Sequence, residues 1–448
     1  MADGPLSAQP LPAATAPPAR SVALGWRQCL AYGLLGLPLA FVALPLYVLL
    51  PHHYAREFGL PLATLGALLL GARLFDAVLD PWFGQWLDRR FVRSLRNVQR
   101  AGLLAACVLA AGLTAVFLPP LRSAGALLAW AAVALCLTYA AYSVLAIAHQ
   151  SWGARLGTGE VERGRIVAWR EGAGLVGVVL ASALPGWLGL EAMLLVFALS
   201  LALGWVAWWQ GPQPAIAATP ASAGPEVSAQ LPLWQPWRQP AFRGLLGAFV
   251  LNGIATAIPA TLVLFFIEDR LQAPASLQPM FLLTYFLAAA VGLPLWLRVV
   301  GRLGLARSWL LGMGLSVAVF GWAASLGAGD VRGFWLVCLL SGLALGADLA
   351  LPSALLAGLL AELDEQDQVA RYFGWWNFAT KLNLALAAGL ALPLLGWWGY
   401  QPGSRDPQAL QTLGWAYAVL PCILKLLAAV ALWRWSRRHQ VFHRRSAS

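Results

Sequence analysis

Three ionisable residues lie on one face of an apolar helix that the sequence predicts at 61–86. Arg73, Asp76 and Asp80 are spaced i, i+3 and i+7, which aligns them along the helix. Two carboxylates one turn apart repel each other, and this favours protonation of one or binding of a cation between them. Pro81 donates no N–H, so the carbonyl of Ala77 is left open to an ion or water. We predict a Na⁺ or H⁺ site at Asp76 and Asp80. The alternative, a structural Arg73–Asp76 ion pair, leaves Asp80 unexplained.

Two more charged residues interrupt later apolar segments, where a charge costs at least about 2.5–3.5 kcal/mol on insertion scales. Lys381 follows Arg371 by ten residues, or roughly 15 Å of helix, so it needs a partner. With Asn377 one turn earlier, we expect it to line a substrate cavity; snorkelling to an aqueous face is the alternative. Asp348, four residues before Pro352, is a second candidate for coupling or substrate binding; the alternative is structural pairing with Lys381 or with a neighbouring backbone group.

A third group of candidates lies in the second half of the fourth apolar segment, predicted at 125–152, and at the start of the fifth. Tyr142, His149, Gln150 and Trp152 combine aromatic rings with hydrogen-bonding groups, which suits a sugar ring or another amphiphile. Arg170 opens the next segment and could meet an anionic group. We treat all five as candidate substrate-binding residues. The alternatives are that His149 to Trp152 is simply the helix end, with Trp152 as an interfacial anchor, and that Arg170 is one more loop-side arginine.

The composition places these residues in a membrane protein. The chain has 448 residues, of which 60% are hydrophobic and 11% charged, and its mean hydropathy is +0.69; a soluble domain carries about 25% charged residues. Five cysteines occur singly, without metal-ligand spacing. No nucleophile triad, Walker loop or HExxH motif occurs. We expect no enzyme activity, no cofactor beyond the coupling ion and, despite a net charge of +11, no nucleic-acid partner.

Twelve apolar segments are long enough to cross a bilayer, and a Pro/Ala-rich stretch separates the first six from the last six. The sequence thus predicts an all-α polytopic protein with twelve transmembrane helices in two six-helix halves, the layout of the major facilitator superfamily. The predicted domains are a disordered cytoplasmic tail (1–23), an N-terminal bundle (24–211), a cytoplasmic linker (212–240), a C-terminal bundle (241–436) and a basic cytoplasmic tail (437–448).

The arginines give an independent test of this topology. The tails and even-numbered connections hold 21 arginines and the odd-numbered connections hold 5. The positive-inside rule therefore puts both termini in the cytoplasm. We expect a multi-pass protein of a bacterial inner membrane that contacts the lipid bilayer and a small-molecule substrate and works as a monomer.

The second segment also resembles a known family. Its pattern, Arg-x-x-Asp-x-x-x-Asp-Pro-x-x-Gly-x-x-x-Asp-Arg from Arg73 to Arg89, is similar to the second-helix signature of the glycoside-pentoside-hexuronide:cation symporters, the melibiose-permease-like branch of the superfamily. The resemblance implies that Asp76 and Asp80 bind the coupling cation. It also implies that Asp88, Arg89 and Arg90 act in the cytoplasmic gate, and that Lys381 faces the helix-II aspartates.

The chain departs from this family at two positions. The aspartates that hold sugar hydroxyls in melibiose-type members correspond by spacing to Ala40 and Ala146, and methyl groups cannot accept hydrogen bonds. The resemblance implies a secondary active transporter that couples Na⁺ or H⁺ to symport of a sugar or a related small organic solute. The two alanines keep an alternative open, a proton-coupled transporter of a non-sugar or lipid-like amphiphile.

Overall fold

The computed structural model describes residues 24–121, 123–214, 232–401 and 403–443, and all of its regular elements there are helical. The predicted tail at 1–23, Arg122, most of the predicted linker and the last five residues lie outside these ranges. The described part of the linker includes one short helix, α8 (Gln235–Arg238).

The N-terminal half crosses the bundle six times. Prolines divide the first crossing into short helices, because a proline inside a helix removes a backbone donor. The seventh helix is bent at Gly189, which has φ 84°, and so supplies two crossings. The helices are α1 (Trp26–Gly33), α2 (Gly36–Phe41), a π-helical turn (Pro45–Leu49), α3 (Leu50–Phe58), α4 (Leu62–Arg93), α5 (Leu95–Phe117), α6 (Ala124–Ala154) and α7 (Glu160–Gln210).

The C-terminal half also makes six crossings, the last of them built from two helices joined by a π-helical turn. Its helices are α9 (Pro240–Phe265), continued by a π-helical turn (Phe266–Arg270), α10 (Gln278–Leu303), α11 (Leu305–Ala323), α12 (Val331–Glu362), α13 (Val369–Trp397), α14 (Pro407–Gly414), a second π-helical turn (Trp415–Val419) and α15 (Leu420–His443). Two short 3₁₀ turns, Ala275–Leu277 and Gln366–Gln368, precede α10 and α13.

Within the described residues, eight helical segments are long and apolar enough to cross a bilayer. Bilayer-spanning helices satisfy their backbone groups internally, which is why such apolar sequences fold this way in lipid. The predicted all-α, twelve-crossing fold is confirmed. The helices extend beyond several predicted segments: α4 runs seven residues past 86, to Arg93.

The two halves meet most closely where α4 crosses α13. A Cβ atom at Gly374 would lie 2.5 Å from the carbonyl oxygen of Asp80, and one at Gly84 would overlap the carbonyl oxygen of Ala370. Small residues let membrane helices approach backbone to backbone. This crossing fixes the end of the bundle near the linker, which we call the linker side; the other end is the opposite side.

Candidate functional site

A buried charge cluster joins the two halves just above the α4–α13 crossing. The ammonium group of Lys381, on α13, lies 2.6 Å from Asp76 Oδ2 and 2.8 Å from Asp80 Oδ2, both on α4. The side chain of Asp80 is fully buried and that of Asp76 is 5% exposed, whereas Lys381 is 23% exposed. The lysine therefore neutralises a carboxylate pair that belongs to the other half. We call this group the inter-half cluster.

Ser143, on α6, completes the inter-half cluster. Its hydroxyl donates to Asp76 Oδ1 at 2.7 Å and accepts from the Lys381 ammonium at 2.8 Å. The same ammonium donates to Asp80 Oδ1 at 2.8 Å. Two carboxylates, a hydroxyl and an ammonium thus share one compact site. The oxygens would suit a hard monovalent cation once the ammonium had moved away.

A cavity of about 750 Å³ opens from the inter-half cluster towards the opposite side. Twelve of its twenty lining residues are apolar, among them Leu70 and Val78 of α4 and Leu384 of α13. The other eight are polar, and Asp76 and Ser143 among them contact the Lys381 ammonium; they are Arg73, Asp76, Tyr139, Tyr142, Ser143, Asn377, Thr380 and Lys381. The cavity is therefore amphipathic, with a charged end and an apolar wall. Asp80 lies behind its lining, covered by Lys381.

Ala40 and Ala146, which the resemblance places where melibiose-type symporters have carboxylates, differ in their surroundings. Ala146 lines the cavity, so its methyl group presents an apolar surface there. Ala40 packs against α7, where a Cβ at Gly174 would lie 3.2 Å from the Ala40 Cβ. The described cavity thus has no carboxylate at either position with which to hold a sugar hydroxyl.

The cavity brings together some of the predicted substrate-binding residues. Tyr142, Asn377 and Lys381 line it. His149 is fully buried between helices: its Nε2 lies 2.8 Å from the carbonyl oxygen of Tyr32, and its ring packs 4.3 Å from the Tyr32 ring. Gln150 is half-buried and lies outside the described lining.

Trp152 and Arg170 also lie in the core of the N-terminal half. Trp152 is fully buried and donates its Nε1 hydrogen to the carbonyl oxygen of Pro212 at 2.9 Å, which holds the start of the linker. The Arg170 side chain is 9% exposed and its Nε donates to Glu171 Oε1 at 3.0 Å. Neither is among the residues that line the cavity.

Asp348 pairs with Lys425 and not with Lys381. Its Oδ2 lies 2.7 Å from the Lys425 ammonium, on α15. This pair lies within the C-terminal half, and Asp348 is not among the lining residues of the cavity. Sequence reasoning overlooked Lys425 and Ser143. Lysine is so scarce in the chain that Lys425 carried a signal, whereas nothing in the spacing around Ser143 pointed to a site.

The predicted gate residues lie on the linker side. The Asp88 carboxylate accepts hydrogen bonds from the backbone N–H groups of Ala370 and Arg371, at 2.8 and 2.9 Å, and so caps the first turn of α13 from the other half. Arg89 is exposed. The guanidinium of Arg90 stacks over the Trp86 ring at 3.8 Å.

Two further contacts close this side. Arg155, which follows the last residue of α6, donates to the carbonyl oxygen of Gln366 at 2.8 Å. Glu160, at the start of α7, accepts from the backbone N–H of Leu305 at 2.9 Å and caps α11. Both contacts cross between the halves. Because the halves touch on the linker side and the cavity lies beyond the inter-half cluster, the cavity is closed off from the linker side.

The comparisons with known proteins agree with this architecture. Among solved structures, the chain matches a bacterial homologue of the iron transporter ferroportin in an outward-facing state, with 17% identity and a TM-score of 0.68 over 92% of this chain and 98% of that one. It also matches a variant of the E. coli fucose:proton symporter FucP, with 14% identity and a TM-score of 0.63 over 90% and 97%. At these identities the likeness shows the fold alone. No curated protein matches the sequence.

A family model settles membership. The model described as MFS/sugar transport protein matches residues 29–436, which is nearly the whole of the chain and includes both halves and the inter-half cluster. The fold and this match indicate a membrane transporter and not an enzyme. The chain belongs to the MFS/sugar transport protein family.

Proposed function

We propose that this transporter couples the movement of a cation, Na⁺ or H⁺, to symport of a small organic solute, with Asp76 and Asp80 as the cation ligands. The observation that carries the proposal is the position of Lys381. A cationic group from the other half already occupies the carboxylate pair, at 2.6 and 2.8 Å. A coupling ion would replace that group, so ion binding and the contact between the halves would be linked.

The coupling follows from charge balance. Two buried carboxylates without a counter-ion are strongly unfavourable, so Lys381 would stay in place until a cation or protons arrive. The released ammonium lines the cavity and would then be free to meet the substrate. Ion and substrate would each favour the state in which the halves close over the cavity, which is the requirement for symport by alternating access.

A sugar or a related solute is the leading substrate class. The family description names sugar transport, and one structural relative is a fucose:proton symporter. The melibiose-type helix-II pattern at Asp76 and Asp80 supports the same substrate class, and it supports movement of the ion and the solute in the same direction across the membrane.

The apolar wall of the cavity favours a second candidate. Ala146 provides a methyl group where melibiose-type members have a carboxylate, and Leu70, Leu74 and Val78 form one side of the cavity. A solute with a charged group and an apolar body, such as a lipid-like amphiphile, would place its charged group near Lys381 and its body along this wall. Apolar burial of that kind would contribute about 25 cal/mol per Å².

Thermal stability of the purified protein tests both parts of the proposal. A ligand that binds only the folded state raises stability by RT ln(1 + [L]/Kd), so the melting temperature should rise with Na⁺ relative to choline, or shift with pH if H⁺ is the ion. Sugars and amphiphiles screened on top of the cation would identify the solute class.

Asp80→Asn should abolish the cation response. Asp348→Asn is the matched control, because it also neutralises a lysine-paired aspartate in a membrane helix but lies outside the inter-half cluster; it should keep the response. A cation response that survives Asp80→Asn would refute the assignment of the ion to this carboxylate pair.

We propose that the protein is a monomer in a bacterial inner membrane, with both termini and the linker in the cytoplasm. It would need no cofactor beyond the coupling ion, and its partners would be its small-molecule substrate and the lipid bilayer. Nucleic acid has no place in this mechanism.

A further inference from the structure

A second charge cluster lies inside the C-terminal half. The ammonium group of Lys425 lies 2.7 Å from Asp348 Oδ2, 2.9 Å from Asn252 Oδ1 and 3.1 Å from Thr256 Oγ1. The Lys425 and Asp348 side chains are 4% and 10% exposed. Two helices, α9 and α12, thus supply the oxygens around an ammonium group that α15 carries. We call this group the C-half cluster.

The oxygens of the C-half cluster are held in place independently of the lysine. Asn252 donates its Nδ2 hydrogen to Asp348 Oδ1 at 3.1 Å, which turns the amide oxygen towards Lys425. Trp309, on α11, donates its Nε1 hydrogen to Asp348 Oδ1 at 2.9 Å. The Thr256 hydroxyl donates to the backbone carbonyl oxygen of Asn252 at 3.0 Å. The carboxylate, amide and hydroxyl oxygens would therefore keep converging on one point if the ammonium were removed.

The use of lysine connects the two clusters. The chain has 28 arginines but only two lysines, Lys381 and Lys425. Each lysine forms an ion pair with an aspartate of another membrane helix. An ammonium is a compact point charge, whereas a guanidinium is a planar fork that needs more space and fixed directions. Both clusters therefore use the one side chain that imitates a small monovalent cation.

We infer that Asp348, Asn252 and Thr256 form a second monovalent-cation site, which Lys425 fills as a tethered internal cation. Carboxylate, amide and hydroxyl oxygens are the ligands that hard cations prefer. The C-half cluster pairs one carboxylate with one ammonium, so it needs no further ion. The inter-half cluster has two carboxylates for one lysine. In the wild-type protein the C-half cluster therefore takes up no external cation.

Removal of the tethered cation tests the site. All variants carry Asp80→Asn, which disables the inter-half cluster, so the result does not depend on the proposed function. Lys425→Ala leaves space and an uncompensated carboxylate, which is costly when buried. In mildly alkaline buffer, Na⁺ in place of choline should raise its melting temperature by about 3 °C. ²²Na⁺ should bind with one equivalent per chain.

Two comparisons decide the outcome. The parent Asp80→Asn protein and the Lys425→Ala/Asp348→Asn combination should both show no Na⁺ response, because the first has its ammonium and the second has no carboxylate. If Lys425→Ala cannot be purified, Lys425→Gln is the substitute: its side chain is uncharged and one bond shorter, so it packs like the lysine stem, leaves the ammonium position open and the carboxylate uncompensated, and should gain the same Na⁺ dependence. The inference is overturned if neither lysine variant responds to Na⁺, or if the response persists after Asp348→Asn.

Discussion

At the scale of single residues, the inter-half cluster depends on Ser143, whose short side chain connects the Asp76 carboxylate to the Lys381 ammonium. The Ser143 hydroxyl is fixed at 2.7 Å from Asp76 and 2.8 Å from Lys381. Hydrogen bonds to charged groups contribute about 1.5–3 kcal/mol. Removal of the Ser143 hydroxyl should therefore weaken the inter-half cluster without altering the charge of the cluster.

We predict that Ser143→Ala lowers the apparent affinity for the coupling cation roughly tenfold, a difference of about 1.4 kcal/mol, because one oxygen ligand is lost. The measurement is the cation dependence of the melting temperature. Ser182→Ala is the matched control: its hydroxyl is exposed and bonds only the carbonyl oxygen of Val179 among the described contacts. Equal affinities in the two variants would exclude Ser143 from the site.

The sequence carried much of this residue-scale information, but not all of it. The sequence singles out Asp76, Asp80 and Lys381, because a charge in an apolar membrane helix costs free energy unless it is paired or functional. Which carboxylate pairs with which lysine depends on helix packing, so Asp348 could not be assigned to Lys425 beforehand. Ser143 resembles any other serine in a membrane helix until α6 is placed beside α4.

At the scale of helices, the linker side is closed by backbone contact between α4 and α13. Gly84 lies directly against Ala370, whereas Gly66, on the same helix α4, has open space around its Cα. Alanine is the better helix former by about 1 kcal/mol. The same substitution should therefore have opposite effects at the two positions.

We predict that Gly84→Ala separates the halves on the linker side, while Gly66→Ala leaves them closed and is neutral or stabilising. Amide hydrogen exchange reports the separation, because the N–H groups of Ala370 and Arg371 are bonded to Asp88 across the halves. Exchange of this turn should become faster only in Gly84→Ala. Unchanged protection in that variant would contradict the tight crossing.

Glu160 gives a second prediction at this scale. Its carboxylate caps α11 from the other half, at 2.9 Å from the backbone nitrogen of Leu305. If the halves move as rigid bodies, Glu160→Gln should speed exchange at Ala370 as well as at Leu305, although the substitution touches only the second contact. An effect confined to Leu305 would mean that the two contacts open independently.

At the level of helices, the sequence predicted the number of membrane crossings but not the division of the first crossing into short helices. Twelve crossings follow from the apolar segments, since each must be long enough for a bilayer. The break between the fifth and sixth apolar segments lies at Gly189, whose backbone is not helical. The division of the first crossing at its prolines, by contrast, depends on backbone angles that hydropathy does not report.

At the scale of the whole molecule, one half supplies the two carboxylates and the other supplies their counter-ion. This asymmetry makes the inter-half cluster sensitive to the separation of the halves, whereas the C-half cluster holds one half together. An ion that replaces Lys381 would therefore alter the energy of the contact between the halves. That replacement is the central claim of the proposed mechanism.

The most direct test is cation binding by the wild-type protein, Asp80→Asn and Lys381→Gln, followed with ²²Na⁺ and, in parallel, by proton uptake after a pH step. Because Lys381 competes for the carboxylates, we predict weak binding by the wild type, roughly tenfold tighter binding by Lys381→Gln and none by Asp80→Asn. Equal binding by the wild type and Lys381→Gln, or cation binding that persists in Asp80→Asn, would contradict the claim that ion and lysine exchange at this site.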